Sequence, residues 1–310
     1  MRVLITGANG FLGRGLAARA AQSLKGLSSL TLTDRVPADK APAGALNKPG
    51  DLSDPAFLDG LLAPGFDLVF HLASIPGSLA EQEPEAGNRV NLLAPIALAR
   101  GVAKASPGAR FVFASSIAVY GQTGGAAVNE NTATAPALTY GAHKLMTEIL
   151  LSDLTRRGEL SAVSLRLPGI VARPRQESGH GSAFMSLLFH HASAGEDWNC
   201  PVPGSSTCWW MSREAAVAMM LHAASLPSGS ASVIQPPALH ATVQDVAEAA
   251  ARVNGKPSGA RWGDNETLRR IFGAMPPLDA SRALSLGFNA AETPEALARA
   301  ALSGVADEDH

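Results

Sequence analysis

Tyr140 and Lys144 stand four residues apart in the run Thr139-Tyr-Gly-Ala-His-Lys144, and a Ser115-Ser116 pair closes an apolar run some two dozen residues earlier. On a helix, positions i and i+4 share a face, so a lysine ammonium can lie beside a tyrosine phenol without help from another segment. A phenol of pKa about 10 is a poor base at neutral pH. A cation about 4 Å away, at an effective dielectric near 20, favours the phenolate by roughly 4 kcal/mol, about three pKa units. Such a phenol can shuttle a proton near pH 7. An aromatic residue and a lysine also share a helix face by coincidence, so the company the pair keeps decides its meaning.

That company begins at residue 2. Arg2-Val-Leu-Ile-Thr6 reads as a short buried strand running into Gly7-Ala-Asn9-Gly10-Phe11-Leu12-Gly13 and then an Ala/Leu-rich helix. Gly7 permits the tight turn, Gly10 lets backbone approach a pyrophosphate, and Gly13 lets the helix pack on the strand. The helix N-terminus offers N–H groups to the anion. A bare glycine pattern is weak, but here the strand precedes it and the helix follows. The apolar run Leu30-Thr-Leu-Thr33 then ends in Asp34. A carboxylate there can accept from both ribose hydroxyls and repel a 2′-phosphate, which favours NAD over NADP. Arg35 next to it keeps NADP open.

With 310 residues, 46% apolar and 17% charged, the chain can bury a full core in one large or two modest domains. A net charge of −2 leaves no basic footprint for nucleic acid. The first strand is expected to begin at residue 2, so no signal peptide is expected. No apolar run approaches the 18 or so residues of a membrane span. The expected compartment is the cytoplasm. Cys200 and Cys208 are the only thiols and are expected to be free. Neither they nor the adjacent His190-His191 have zinc-site spacing, so no metal is expected.

Helical and strand patterns alternate, which predicts an α/β fold with a parallel sheet covered on both faces. Strands are expected at about 2–6, 29–34, 67–72, 109–115 and 161–167, and a further short one before Asp51. Helices are expected from Gly10 to Leu27, Pro55 to Leu62, Pro84 to Ala105, Tyr140 to Arg157 and Thr242 to Asn254. Asp51 at a strand end, followed by Leu52, suits the adenine side of a cofactor cleft. Equally, Asp51, Ser53 or Asp54 could cap the helix that follows. The strand ending in His71-Leu72-Ala73 runs into Ser74-Ile-Pro-Gly-Ser78, a loop expected to line the same cleft. The acidic tail 306–310 is expected to be disordered.

Taken together, these segments resemble the extended short-chain dehydrogenases/reductases, also called the NAD-dependent epimerase/dehydratase family. The resemblance covers about residues 1–172. It rests on the Gly7/Gly10/Gly13 loop, Asp34, Gly50-Asp51-Leu52, His71-Leu-Ala73, Asn91, Ser115-Ser116-Ile-Ala-Val-Tyr-Gly121, Tyr140-x-x-x-Lys144 and Leu165-Arg-Leu-Pro168, in family order. It implies a Rossmann-type doubly wound parallel sheet at 1–172 and a smaller, mainly substrate-binding region at 173–310, some of whose segments can return to the first domain. It implies NAD as cofactor, Tyr140 as acid/base, Lys144 on the nicotinamide ribose, and Ser116 polarising the substrate oxygen, with Ser115 as fallback. Asn91 would buttress the cofactor or active-site waters, and Pro168, Ile170 and Val171 would border the nicotinamide. Helices 84–105 and 140–157 resemble those that form a four-helix homodimer interface in the family.

The residues after Ser116 separate reactions within that family. Sugar-nucleotide dehydratases carry an Asp-Glu pair where this chain has Ile117 and Ala118, neither of which can move a proton. Sugar-nucleotide epimerases commonly hold a diphosphate through an arginine that the segment Ser205 to Ala216 lacks at the expected place. Leu165-Arg-Leu-Pro-Gly-Ile-Val-Ala-Arg-Pro174, Ser182-Ala-Phe184, Cys200-Pro-Val-Pro203, Ser212 with Ala215-Ala-Val217, and Leu278-Asp-Ala-Ser-Arg-Ala-Leu-Ser-Leu-Gly-Phe288 resemble a narrower group, the D-erythronate dehydrogenases and their relatives, although Trp209-Trp210 departs from its pattern. The expected reaction is therefore NAD-dependent oxidation of a hydroxyl of a short sugar acid, with a sugar-nucleotide epimerase as the alternative and a non-enzymatic NAD-binding protein as a third reading. A sugar-acid carboxylate needs a cation, and Arg173, Arg175 and Arg213 are the candidates. Ser74, Ser78 and Trp209 are the other expected substrate contacts, although an aromatic residue such as Trp209 is more often core, and His143 is read as packing.

Overall fold

In the computed structural model, residues 1–38, 40–175, 181–230 and 232–308 are described. They form two compact units. The first comprises residues 1–120, 134–166 and 217–235, and the second comprises 121–133, 167–216 and 236–310.

The first unit is built on a seven-stranded sheet. Its strands are β1 (Arg2–Thr6), β2 (Ser29–Thr33), β3 (Leu46–Asn47), β4 (Leu68–His71), β5 (Arg110–Ser116), β6 (Ser161–Leu167) and the short Val233–Ile234. The order across the sheet is Val233–Ile234, β6, β5, β4, β1, β2, β3, and β1 lies parallel between β2 and β4. β1 and β4 are nearly continuous Val/Leu/Ile/Phe runs, and β2 and β6 are buried at almost every position, as expected of strands covered by helices on both faces. The chain leaves β1 toward β2 and later returns to β1's other side as β4. The strand order therefore reverses between β1 and β4, and crevices at such switch points receive nucleotides.

Five of the expected strands stand within a residue or so of the predicted ends, and β3 supplies the short strand before Asp51. Helix α1 (Phe11–Ser23) ends earlier than expected, because Leu24 is extended and Gly26 takes a left-handed φ of +71°. Helix α2 (Pro55–Leu62) starts at Asp54, whose carboxylate accepts from the Ala56 N–H at 2.9 Å. Asp51 instead accepts from Ser53, from its N–H at 2.8 Å and its hydroxyl at 2.6 Å.

After β4 come α3 (Gly77–Gln82) and α4 (Pro84–Asn88). The single helix expected over 84–105 is divided: α4 passes through a π-helical turn, Arg89–Leu93, into α5 (Ala94–Ala105). Pro95 explains the break, since it has no N–H for the carbonyl of Asn91 and its ring crowds that carbonyl. Helix α6 (Thr139–Arg156) carries Tyr140 and Lys144. The apolar faces of α2, α5 and α6 meet the sheet at Leu4, Val69, Phe111 and Phe113, each 0% exposed. At roughly 1.5–3 kcal/mol per buried large side chain, this contact fixes α6 against β5.

The second unit has its own core, with Phe189, Val202, Trp210 and Leu297 all fully buried. Thr207–Ser212 pairs antiparallel with Leu239–Thr242 and parallel with Gly169–Val171. Helix Val243–Asn254 begins with the expected amphipathic pattern and a capping box between Thr242 and Asp245. The tail is helical further than expected, since Pro294–Glu308 form one helix. Asp309 and His310 lie outside the described residues. Among the described residues no helix is long and apolar enough to cross a membrane.

Candidate active site

Helix α6 presents Tyr140 and Lys144 toward the end of β5. Lys144 is 2% exposed, and its ammonium donates to the Ala114 carbonyl at 2.8 Å. The same nitrogen stands 4.7 Å from the Phe113 ring centroid and 5.3 Å from that of Tyr140. The cation is thus buried against two ring faces and one carbonyl, while the Tyr140 ring is half-buried. The i, i+4 spacing brings ammonium and phenol ring together as expected.

The two serines at the end of β5 point to different surroundings. Ser115 is 3% exposed and its hydroxyl donates to the Glu148 carboxylate, so it is committed to the interior and not to a ligand. Ser116 is half-buried, and its oxygen accepts from the Ala118 N–H at 3.1 Å. That bond caps the 3-10 turn Ile117–Val119 and uses the Ser116 oxygen as acceptor, so the hydroxyl hydrogen is still available as a donor.

The glycine loop follows β1 directly. Gly7 has φ +67°, and a Cβ there would stand 2.6 Å from the Ala73 N, in the loop after β4. A Cβ at Gly13 would strike the Gly7 carbonyl, so α1 packs on the loop only because Gly13 has no side chain. The loops after β1 and β4 therefore touch at the switch point. Asn9, Gly10, Phe11 and Leu12 are all at least partly exposed there. Asp34 is held by two backbone N–H groups, from Asn9 at 3.0 Å and from Arg35 at 2.7 Å. This cradle fits a dinucleotide: a side-chain-free loop at a helix start, with a fixed carboxylate one strand away. The Ser53 bonds hold the Asp51 carboxyl below the usual range against some desolvation, and the charges of Arg35 and Arg89 add to this. Leu52 beside it is buried.

The loop after β4 is pinned by Asn91. Its side-chain oxygen accepts from the Ile75 N–H at 2.8 Å, and its amide donates to the Ile75 carbonyl at 3.1 Å. Asn91 thus holds the segment carrying Leu72, Ala73, Ser74 and Ser78. Of these, Ser74 is exposed and the others are half-buried. Glu81 on α3 accepts from the Thr139 N–H at the start of α6. His143 is buried, as packing requires. Burial pushes its pKa down, with Glu81 opposing.

In the second unit, Arg173 lines a cavity of about 50 Å³ with Gly169, Ile170, Ser182, Met185 and Ser186. Its N–H donates to the Ser186 hydroxyl at 3.0 Å. Pro168, Ile170 and Val171 are buried, and of these Ile170 lines the cavity. Arg175 is paired with Glu196 at 3.1 Å and Arg213 with Glu214 at 3.3 Å. Trp209 is 1% exposed and donates its indole N–H to the Pro276 carbonyl at 2.7 Å, so it belongs to the core and offers no face to a ligand. Cys200 and Cys208 are buried free thiols, and burial raises the Cys200 pKa to about 11.

Sequence reasoning assigned no role to Glu148, Arg166, Tyr120, Gln235, Glu81 or the Thr6–His71 pair. Glu148 had a usable signal: it stands four residues beyond Lys144, a carboxylate on the side of α6 that faces the sheet.

The profile of the NAD dependent epimerase/dehydratase family matches residues 3–234. The D-erythronate dehydrogenase of Cupriavidus necator is 37% identical over 303 residues, 93% of this chain and 94% of that protein. The D-erythronate dehydrogenase of Haemophilus influenzae is 34% identical over 301 residues, with the same coverage of both chains. Among solved structures, the nucleoside-diphosphate-sugar epimerase from Agrobacterium tumefaciens superposes with a TM-score of 0.88 at 32% identity, covering 96% of this chain and 92% of that one.

Proposed function

The chain belongs to the NAD-dependent epimerase/dehydratase family, the extended short-chain dehydrogenases/reductases, and from that premise we propose that it oxidises a secondary hydroxyl of a short, D-erythronate-like sugar acid. The observation that carries this reading is the end-to-end similarity to two D-erythronate dehydrogenases. The turn after Ser116 supports it, since Ile117 and Ala118 leave no second proton carrier there for an elimination.

In this reading, NAD when bound supplies the two-electron acceptor for the carbon being oxidised. The loop Gly7, Asn9, Gly10, Phe11, Leu12 and Gly13 would hold its pyrophosphate, Asp34 its adenosine ribose, and Asp51 and Leu52 the adenine side. Leu72, Ala73, Ser74 and Asn91 would line its far half, with Pro168, Ile170 and Val171 beside the nicotinamide. Ser116 donates to the substrate oxygen, and the Tyr140 Oη takes up the hydroxyl proton. The Lys144 ammonium would steady the phenolate and hold the nicotinamide ribose. Arg173, which lines a small cavity with Ser182 and Ser186, would receive the substrate's carboxylate. We further propose a cytoplasmic homodimer joined through the segments 84–105 and 140–157.

The similarity to the Agrobacterium epimerase favours one second reading, epimerisation of a sugar nucleotide. Absorbance at 340 nm with NAD and a panel of aldonic acids, polyols and sugar nucleotides separates the two. Net NADH with a four-carbon acid is the expected result. Conversion of a sugar nucleotide without net NADH would overturn the reading. Tyr140→Phe is expected to keep NAD binding nearly intact and lose turnover by orders of magnitude.

A further inference from the structure

Under the turn that carries Ser116 lies a buried ion pair. Glu148 and Arg166 are 2% and 5% exposed. The Arg166 Nε donates to both carboxylate oxygens of Glu148, at 3.1 and 3.2 Å, and its terminal nitrogen donates to Oε2 at 2.8 Å. The same carboxylate accepts from Ser115, immediately before Ser116. The guanidinium lies 4.8 Å from the ring centroid of Tyr120, immediately after the turn. The Tyr120 hydroxyl donates to Gln235 at 3.0 Å, and Gln235 donates back to the Arg166 carbonyl at 3.2 Å. Both ends of the segment 115–120 therefore rest on one ion pair, and its carboxylate belongs to the helix that carries Tyr140 and Lys144.

Taking two charges out of water is expensive, and an apolar pair of similar volume commonly stabilises a core as well or better. What a bidentate pair adds is a fixed geometry. We propose that Glu148 and Arg166 are positioning residues: a clamp that holds the Ser116 turn in register with Tyr140 and Lys144 so that one substrate oxygen can meet both hydroxyls. The proposal rests on the reading of Ser116 as donor to that oxygen. A misplacement of about 1 Å costs on the order of 10²-fold in rate, so a small slip of the turn is measurable.

Ser115→Ala removes one grip and leaves the ion pair whole. The expected result is a turnover about tenfold lower, with KM for NAD and for the hydroxy acid within about twofold and a nearly unchanged melting temperature. Ser115→Thr, which keeps the hydroxyl, restores most of the loss. Tyr120→Leu, acting at the other end of the turn, gives the same loss in kcat alone. A raised KM for the acid at ordinary kcat in Ser115→Ala would mean that Ser115 touches substrate and would overturn the clamp, as would unchanged kinetics in both variants. Ser116→Ala is measured alongside. If it turns over normally, the reading of Ser116 fails; if it is crippled while Ser115→Ala and Tyr120→Leu are ordinary, only the clamp fails.

Discussion

The ammonium of Lys144 donates to the main-chain carbonyl of Ala114 at 2.8 Å, which ties the cation on α6 to β5 two residues before Ser116. One lysine thereby fixes its own position and that of its helix. Lys144→Met is expected to lower kcat/KM about 10²- to 10⁴-fold, the usual range for losing a group that supports proton transfer. The methionine also leaves the Ala114 carbonyl without its buried donor, at a cost of about 1–3 kcal/mol. Steady-state kinetics and a thermal melt on the same sample separate the two effects. Near-normal turnover in a folded variant would remove Lys144 from the mechanism.

Asp34 is held by N–H groups on both sides, so its carboxylate is fixed before any cofactor arrives. Asp34→Ser removes the diol acceptor and the repulsion of a 2′-phosphate together, next to the cation of Arg35. The ratio of kcat/KM for NAD over NADP is expected to fall more than about tenfold. The ratio is the informative quantity, since it cancels any general loss of activity.

Apolar side chains on the proposed dimer helices are open to solvent in the single chain: Ile149 is 62% exposed, Leu93 52% and Met146 43%. Exposed apolar side chains on these two segments are what the proposed interface would cover. Ile149→Asp is expected to convert a dimer to a monomer in light scattering coupled to size exclusion. Monomer behaviour of the unaltered protein at micromolar concentration would exclude the interface.

Much of the first unit was legible because its signals are local. The Gly7/Gly10/Gly13 loop, the carboxylate of Asp34 and the Tyr140–Lys144 pair are each set by spacing along one or two elements. What sequence reasoning missed is set by long-range partners. Nothing near Ser115 indicates that its hydroxyl turns to Glu148, 33 residues on. The π-turn at Arg89–Leu93 depends on Pro95 breaking a helix whose periodicity reads as continuous. Trp209 looked like pocket floor because an aromatic pair reads alike in a core and in a cleft. What marks it as core is a partner 67 residues on, the Pro276 carbonyl that takes its indole N–H.

His71 carries the strongest pH prediction. Its ring is 1% exposed, bonded through Nδ1 to the Thr6 hydroxyl at 2.7 Å and stacked 5.8 Å from Phe113, while Nε2 has no partner. Burial, with the charge of Lys144 added, pushes its pKa down to about 3. A depressed histidine pKa means that between about pH 3 and 6.5 the unfolded chain binds the proton and the folded chain does not. Stability from this group is therefore complete above about pH 6.5 and is lost progressively as pH falls toward 3. From pH 6.5 to 5 the loss is about 2 kcal/mol, at roughly 1.4 kcal/mol per pH unit. His71→Gln lowers stability at pH 7 by losing fit, yet its further drop on going from pH 7 to pH 5 is expected to be about 2 kcal/mol smaller than that of the unaltered protein. Urea unfolding at the two pH values gives both differences, and carboxylates common to the two proteins cancel. An equal drop in both would show that His71 takes up its proton without unfolding.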